Sequence, residues 1–188
     1  MGFRDTASNL ADVERLLAHI HLCPLVDMPH TEPLRHQLSK FTDFGDAHAT
    51  ADAAIADLEH ELQGTRPTGL PHSPWELLEH LRITQHDILD FCRNPDYEEL
   101  KWPDEYWPTS VAPPSAGAWK KSVASFRSDR DALRALATDA KIDLFAKIPH
   151  GDGQTYLREL LLAQDHVSYH VGQLVLVRQL LGAWNPAK

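Results

Sequence analysis

The segment 94–114, NPDYEELKWPDEYWPTSVAPP, constrains this chain more than any other stretch. It packs five prolines, two tryptophans and two tyrosines into twenty-one residues, and it separates two runs of clear helical periodicity. Connections between bundle helices usually take about 2–8 residues. Extended at about 3.3 Å per residue, this one can travel the whole height of a bundle about 30 Å tall. It reads as a crossover, and the helices it joins are expected to run parallel.

The rest of the chain reads as helices divided by Pro- and Gly-rich breaks, with no convincing period-two alternation. A first helix is expected from about Glu32 to Gln63, with Leu34, Leu38, Phe41, Gly45, His48, Asp52, Ile55 and Leu62 on one stripe. Gly64, Pro67, Gly69 and Pro71 then break the chain. The second helix has the plainest start: Ser73-Pro74-Trp75-Glu76 supplies a capping hydroxyl, a proline at the first helical position and a capping-box glutamate. It runs to about Arg93, with Leu77, Leu81, Thr84, Ile88 and Phe91 on one face. A third helix spans roughly Ala116 to Asp139, and a fourth runs from near Thr155 to Leu181, with Gly182 just past its end. The fold class is therefore all-α, a four-helix bundle with one long crossover between helices two and three.

Residues 1–31 fit this pattern poorly, because Pro24, Pro29 and Pro33 follow the short amphipathic stretch Asp12 to Ile20. They are expected to form a loosely attached extension ahead of a bundle domain at 32–188. The first 27 residues also read as an over-extended start, with Met28 the alternative.

Composition excludes several classes. The chain has 188 residues, 18 Lys+Arg against 27 Asp+Glu, and a formal net charge of −9. An acidic balance disfavours a phosphate-backbone binder, so no nucleic acid is expected as a partner. No apolar run approaches the ~18 residues of a membrane span, so no membrane is expected either. Cys23 and Cys92 form no C-x-x-C pattern and no disulfide framework. A polar, acidic N-terminus does not read as a signal peptide, and the expected compartment is the cytoplasm.

Histidine is over-represented, at 12 of 188 residues. His166 and His170 stand four apart, so both project from one face of the fourth helix. Composition alone predicts about one such pair in a chain this long, so spacing by itself decides nothing. Helix faces add more. His170 falls within the inner stripe of Ala163, Val167, Leu174, Val177 and Leu181, and His166 lies at its edge. His80 lies between Leu77, Leu81 and Thr84 on the apolar face of helix two. Three inward histidines could converge on one divalent cation, leaving a coordination position open for water or substrate. All-nitrogen ligation suits Zn²⁺, Ni²⁺ or Fe²⁺. The competing reading makes them core histidines bonded to carbonyls and carboxylates.

Other candidates carry less. His48 and Asp52, on the inward face of helix one, are expected either to cap the wet end of the core or to serve the metal, as a fourth ligand or by bonding to its ligands. Asp87 shares the face of His80 two turns along and reads as a solvated charge or a partner for helix three. Trp102 and Trp107 read mainly as packing along the bundle, with covering the site as the lesser reading. His166-Val167-Ser168-Tyr169-His170 lacks the glutamate of an H-E-x-x-H protease. Neither a G-x-S-x-G elbow nor a Walker loop is present.

Two stretches carry a family resemblance. LLLAQDHVSYHVGQLVLVRQLLGAW (160–184) resembles the last-helix signature of the DinB-like (DinB/YfiT) superfamily, and SPWELLEHLRITQHDIL (73–89) resembles its second-helix motif. With LRHQL (34–38) and IPHGDGQT (148–155), the likeness covers roughly residues 33–184. It implies an up-down-down-up four-helix bundle and a metal held by His80, His166 and His170. It implies a homodimer, as in many members. It also implies chemistry like that of metal-dependent hydrolases, or of transferases and isomerases that use mycothiol, bacillithiol or glutathione. A related iron-dependent sulfoxide synthase domain carries a glutamate two residues after its last histidine. Here that position is Gly172, which counts against iron oxygenase chemistry.

The expected function is thus a metal-dependent enzyme in which Zn or Ni activates a low-molecular-weight thiol or water for transfer or hydrolysis of a small molecule. A non-catalytic, dimeric metal-binding or stress-related bundle is the alternative. The sequence identifies no catalytic residue and no substrate.

Overall fold

A computed structural model describes residues 31–40 and 47–185. Its elements run α1 (Thr31–Lys40), α2 (Ala51–Ile55), α3 (His60–Gln63), α4 (Pro74–Arg93), a 3-10 turn (Asp104–Tyr106), α5 (Ala118–Thr138) and α6 (Tyr156–Leu180). The fold is all-α: the described residues contain six α-helices and no strand. None of these helices is long and apolar enough to cross a membrane. The chain divides into units at 1–34 and 35–188, and the second contains α2 to α6. Residues 1–30 of the expected extension lie outside the described residues.

Helix ends follow local chemistry. The Ser73 hydroxyl accepts the Glu76 N–H at 3.2 Å, and the Glu76 carboxylate accepts the Ser73 N–H at 2.8 Å, so the capping box forms as expected. Thr155 caps α6 by accepting the Arg158 N–H at 3.2 Å. At the other end Gly182 adopts φ 68°, a left-handed conformation that costs glycine little. Gly182 N–H then donates to Gln179 O and Ala183 N–H to Arg178 O, a Schellman termination.

The expected continuous first helix is not observed. Between residues 47 and 64 the structure has two short helices instead. Thr50 restarts helix formation by accepting the Ala53 N–H at 3.1 Å. α2 then stops at Ala56, which is extended, and Asp57 takes φ 50°. Tertiary contacts decide this break. The buried Arg178 guanidinium of α6 donates to the carbonyls of Ala54 and Ala56, each at 2.7 Å, and to that of Ala53. A continuous helix would have used those carbonyls internally.

Cross-helix bonds fix the directions of the long helices. Between α4 and α5, Glu79 pairs with Ser122, Gln85 with Phe126 O, His86 with Asp129 and Arg93 with Ala132 O. Both sets of numbers rise together, so α4 and α5 run parallel. Between α4 and α6 the order reverses: Phe91 and Glu159 line one cleft, His80 meets His166, and Leu77 and Val177 line one slot. The crossover between α4 and α5 returns alongside α4. Tyr97 and Tyr106 bond Asp87, the Tyr106 carbonyl bonds His80, and Val111 O accepts the Ser73 hydroxyl. Near its end the crossover presses on α3, where a Cβ on Gly64 would lie 2.3 Å from Ala112 Cβ.

The core gathers the stripes expected of α4, α5 and α6. Leu77, Leu78, Leu81, Phe126, Val167, Leu174 and Val177 are all buried, and Ala51, Ala54 and Ile55 of α2 join them. At about 25 cal/mol per Å² of apolar surface removed from water, this cluster is the main stabilising term. It also holds α4 and α6 at the separation that brings His80 to His166 and His170.

Candidate metal centre

α4 and α6 meet across their apolar faces, so a polar residue on either stripe is carried inward with its neighbours. His80 is 3% exposed and His170 is 6% exposed, while His166 at the stripe's edge is half-buried. One ring nitrogen from each falls in a cluster whose atoms all lie within 4.8 Å of one another. The rings stand edge to face or tilted, with centroids 4.5–4.8 Å apart. Among the described residues this is the group of His, Cys, Asp and Glu side chains that could hold a metal ion.

Hydrogen bonds orient two of the three rings. His80 Nδ1–H donates to the Tyr106 carbonyl at 2.7 Å, and His170 Nδ1–H donates to Gln173 Oε1 at 2.7 Å. These are the carbonyl-type acceptors that select a histidine tautomer, and they leave both Nε2 atoms with bare lone pairs. His80 Nε2 faces His166 Nε2 at 3.1 Å. Either His166 donates across that gap, or two lone pairs confront each other until a cation lies between them. Two nitrogens about 2.0–2.1 Å from a tetrahedral Zn²⁺ lie about 3.4 Å apart, so the 3.1 Å between His80 and His166 suits a shared cation.

Electrostatics favour the same state. Burial pushes the His166 imidazolium down to about 3, with His170 and His80 adding repulsion. Burial takes His80 to about 4, although its bond to Tyr106 favours the charged form. Burial also lowers His170, partly opposed by Gln173. Neutral imidazoles are the ligating form.

The surroundings contain what sequence reasoning missed. The Trp107 indole stacks on His80 with centroids 3.9 Å apart and an interplanar angle of 2°, and His72 stacks on its other face at 4.1 Å. Trp107 therefore covers a candidate ligand as well as packing against the core, whereas Trp102 is 71% exposed. Asp87 is neither a solvated charge nor a partner of α5: it accepts the hydroxyls of Tyr97 and Tyr106, each at 2.9 Å. Burial raises its pKa, with the two phenols opposing the shift. The available signal was Asp87 on the stripe of His80 facing an aromatic-rich crossover. Gln173, three residues beyond His170, was likewise readable as a partner on the same face.

The remaining candidates lie elsewhere. His48 is exposed and bonds the carbonyl of its neighbour Ala49. Asp52 takes Arg127 and Arg130 at 2.7 Å each; burial raises its pKa, and the two arginines outweigh that and hold it below the usual carboxylate range. Neither belongs to the cluster.

Two hollows flank the centre. A slot of about 140 Å³ is lined by Leu70, His72, Leu77, Gln173, Leu176 and Val177. The Nδ1 of His72 is buried without a hydrogen-bond partner. A larger cleft of about 450 Å³ lies beyond Tyr106, lined by Asp87, Tyr97, His150 and Glu159 among others, and no histidine of the cluster lines either hollow.

Comparison with known proteins agrees with this geometry. The family model of the DinB superfamily matches residues 44–174, more than half the chain and a stretch that includes all three clustered histidines. No curated protein and no solved structure matches the chain significantly. The chain belongs to the DinB superfamily.

Proposed function

We propose that the protein is a metal-dependent enzyme in which His80, His166 and His170 hold one divalent cation, Zn²⁺ or Ni²⁺. The single observation that carries this reading is the approach of His80 Nε2 to His166 Nε2 at 3.1 Å with both Nδ1 atoms of His80 and His170 already committed elsewhere. A cation bound by three neutral nitrogens keeps a position open, and it supplies the Lewis acidity that lowers the pKa of a coordinated water or thiol.

The chain's own residues support transfer or hydrolysis of a small molecule. Tyr106 and Gln173 hold the rings, and Trp107 screens His80 from water. The slot beside Gln173 suits a small apolar group. A homodimer and a thiol such as mycothiol, bacillithiol or glutathione belong to this proposal through the family resemblance, and a cytoplasmic location is proposed with them.

The test is metal analysis of purified, reconstituted protein beside His170→Ala. One equivalent in the wild type and a marked loss in the variant are expected. Substoichiometric metal in the wild type, or equal content in both, overturns the reading. Calorimetry of the metal-loaded protein with a panel of low-molecular-weight thiols then separates thiol chemistry from hydrolysis.

A further inference from the structure

Tyr106 meets α4 at two points. Its backbone carbonyl accepts His80 Nδ1–H at 2.7 Å, and its phenol donates to Asp87 at 2.9 Å. Asp87 follows His80 by seven residues, close to two helical turns, so the two side chains emerge on the same side of one rigid helix. The second oxygen of Asp87 accepts the Tyr97 hydroxyl, also at 2.9 Å. One carboxylate thus ties both ends of the 97–106 stretch to α4, and the last residue of that stretch meets His80.

That segment has little internal support. It contains only the three-residue 3-10 turn Asp104–Tyr106, and Trp107 beyond it is extended. Short 3-10 turns hold few bonds of their own. Its position over His80 depends on the Trp107 indole, packed against the core between His80 and His72, and on side chains reaching back to α4. From that position it restrains the imidazole in two ways. The Tyr106 carbonyl lies at the ring edge and selects which nitrogen carries the proton, and the Trp107 indole lies flat on the ring face.

We propose that Tyr106 is a positioning residue for His80: its bond to Asp87 holds the crossover so that its carbonyl keeps His80 in the Nδ1–H tautomer, with Nε2 turned toward His166. Carbonyls and carboxylates in this role elsewhere fix ring orientation and ligand basicity, and losing them weakens metal binding about 10–100-fold. The tautomer part stands on the metal-free protein. The consequence for metal rests on the reading under Proposed function.

The experiment compares wild type, Tyr106→Phe, Tyr97→Phe and Asp87→Asn by long-range ¹H–¹⁵N NMR of His80 in the metal-free protein at neutral pH, and by Co²⁺ titration. Wild type is expected to show a single Nδ1–H tautomer. Y106F is expected to show a tautomer mixture and about tenfold weaker Co²⁺ binding, while Y97F stays within about twofold of wild type. Y97F removes an equivalent bond to Asp87 without touching the segment's carbonyl at His80, so it controls for simple loss of stability. D87N keeps the size of the side chain with weaker acceptors, and a smaller shift in the direction of Y106F is expected; it decides the matter if Y106F does not fold. An unchanged His80 tautomer in both Y106F and D87N overturns the inference. Wild type that shows the Nδ1–H tautomer but binds no Co²⁺ overturns the metal centre and leaves the positioning role standing.

Discussion

His80 and His166 sit in the folded protein with pKa values near 4 and near 3, against an ordinary 6.5, because burial penalises the imidazolium. An unfolded chain takes up protons on these groups first as pH falls. The stability they contribute is therefore complete above about 6.5 and is lost as pH falls towards about 4 for His80 and about 3 for His166. The urea midpoint of the metal-free protein is expected to fall across that window, and less steeply in a His80→Gln, His166→Gln double variant. Asp52 makes a contrasting case, because its carboxylate is held by Arg127 and Arg130. Asp52→Asn is expected to leave metal content unchanged by elemental analysis; a loss of the metal would return Asp52 to the ligand shell.

At the scale of elements, two helix ends carry quantifiable chemistry. Ser73→Ala removes the hydroxyl that accepts from Glu76 and donates to Val111 O, and a loss of about 1 kcal/mol or more is expected in urea unfolding. Gly182→Ala forces a Cβ into φ 68° and is expected to cost about 1–2 kcal/mol, with Co²⁺ affinity unaltered because the Schellman turn lies three turns beyond His170. Both ends were legible, since Ser73-Pro74-Trp75-Glu76 and the glycine after a periodic run are local signals. The break of the first expected helix was not. Thr50 gives a local restart signal, but what stabilises the end of α2 is Arg178, more than a hundred residues away.

For the whole molecule, α4, α5, α6 and the crossover form one support for the site. A ligand that binds only the folded state stabilises it by mass action, about 2.7 kcal/mol at a hundred times its Kd. Zn²⁺ is therefore expected to raise the thermal midpoint, and chelation is expected to reverse the rise; the same test on His170→Ala should show little change. A shift of equal size in the variant would place the stabilising metal elsewhere. The parallel course of α4 and α5 was legible from a loop length alone, because twenty-one residues with five prolines have the reach to return along a helix and little tendency to form one.

The sequence by itself determined the helical class, the caps of α4 and α6, the crossover and the inward faces of His80, His166 and His170. Each of these depends on spacing within one segment, where periodicity and capping act over a few residues. Tertiary structure alone decided that the three imidazoles meet, that Asp52 faces arginines, and that Tyr106, Trp107 and Gln173 dress the rings. Those outcomes depend on the angle and register between segments, which packing sets and no local pattern encodes. The physical reason is range: a cap is satisfied within a turn of chain, whereas the Nδ1 of His80 found its acceptor twenty-six residues away.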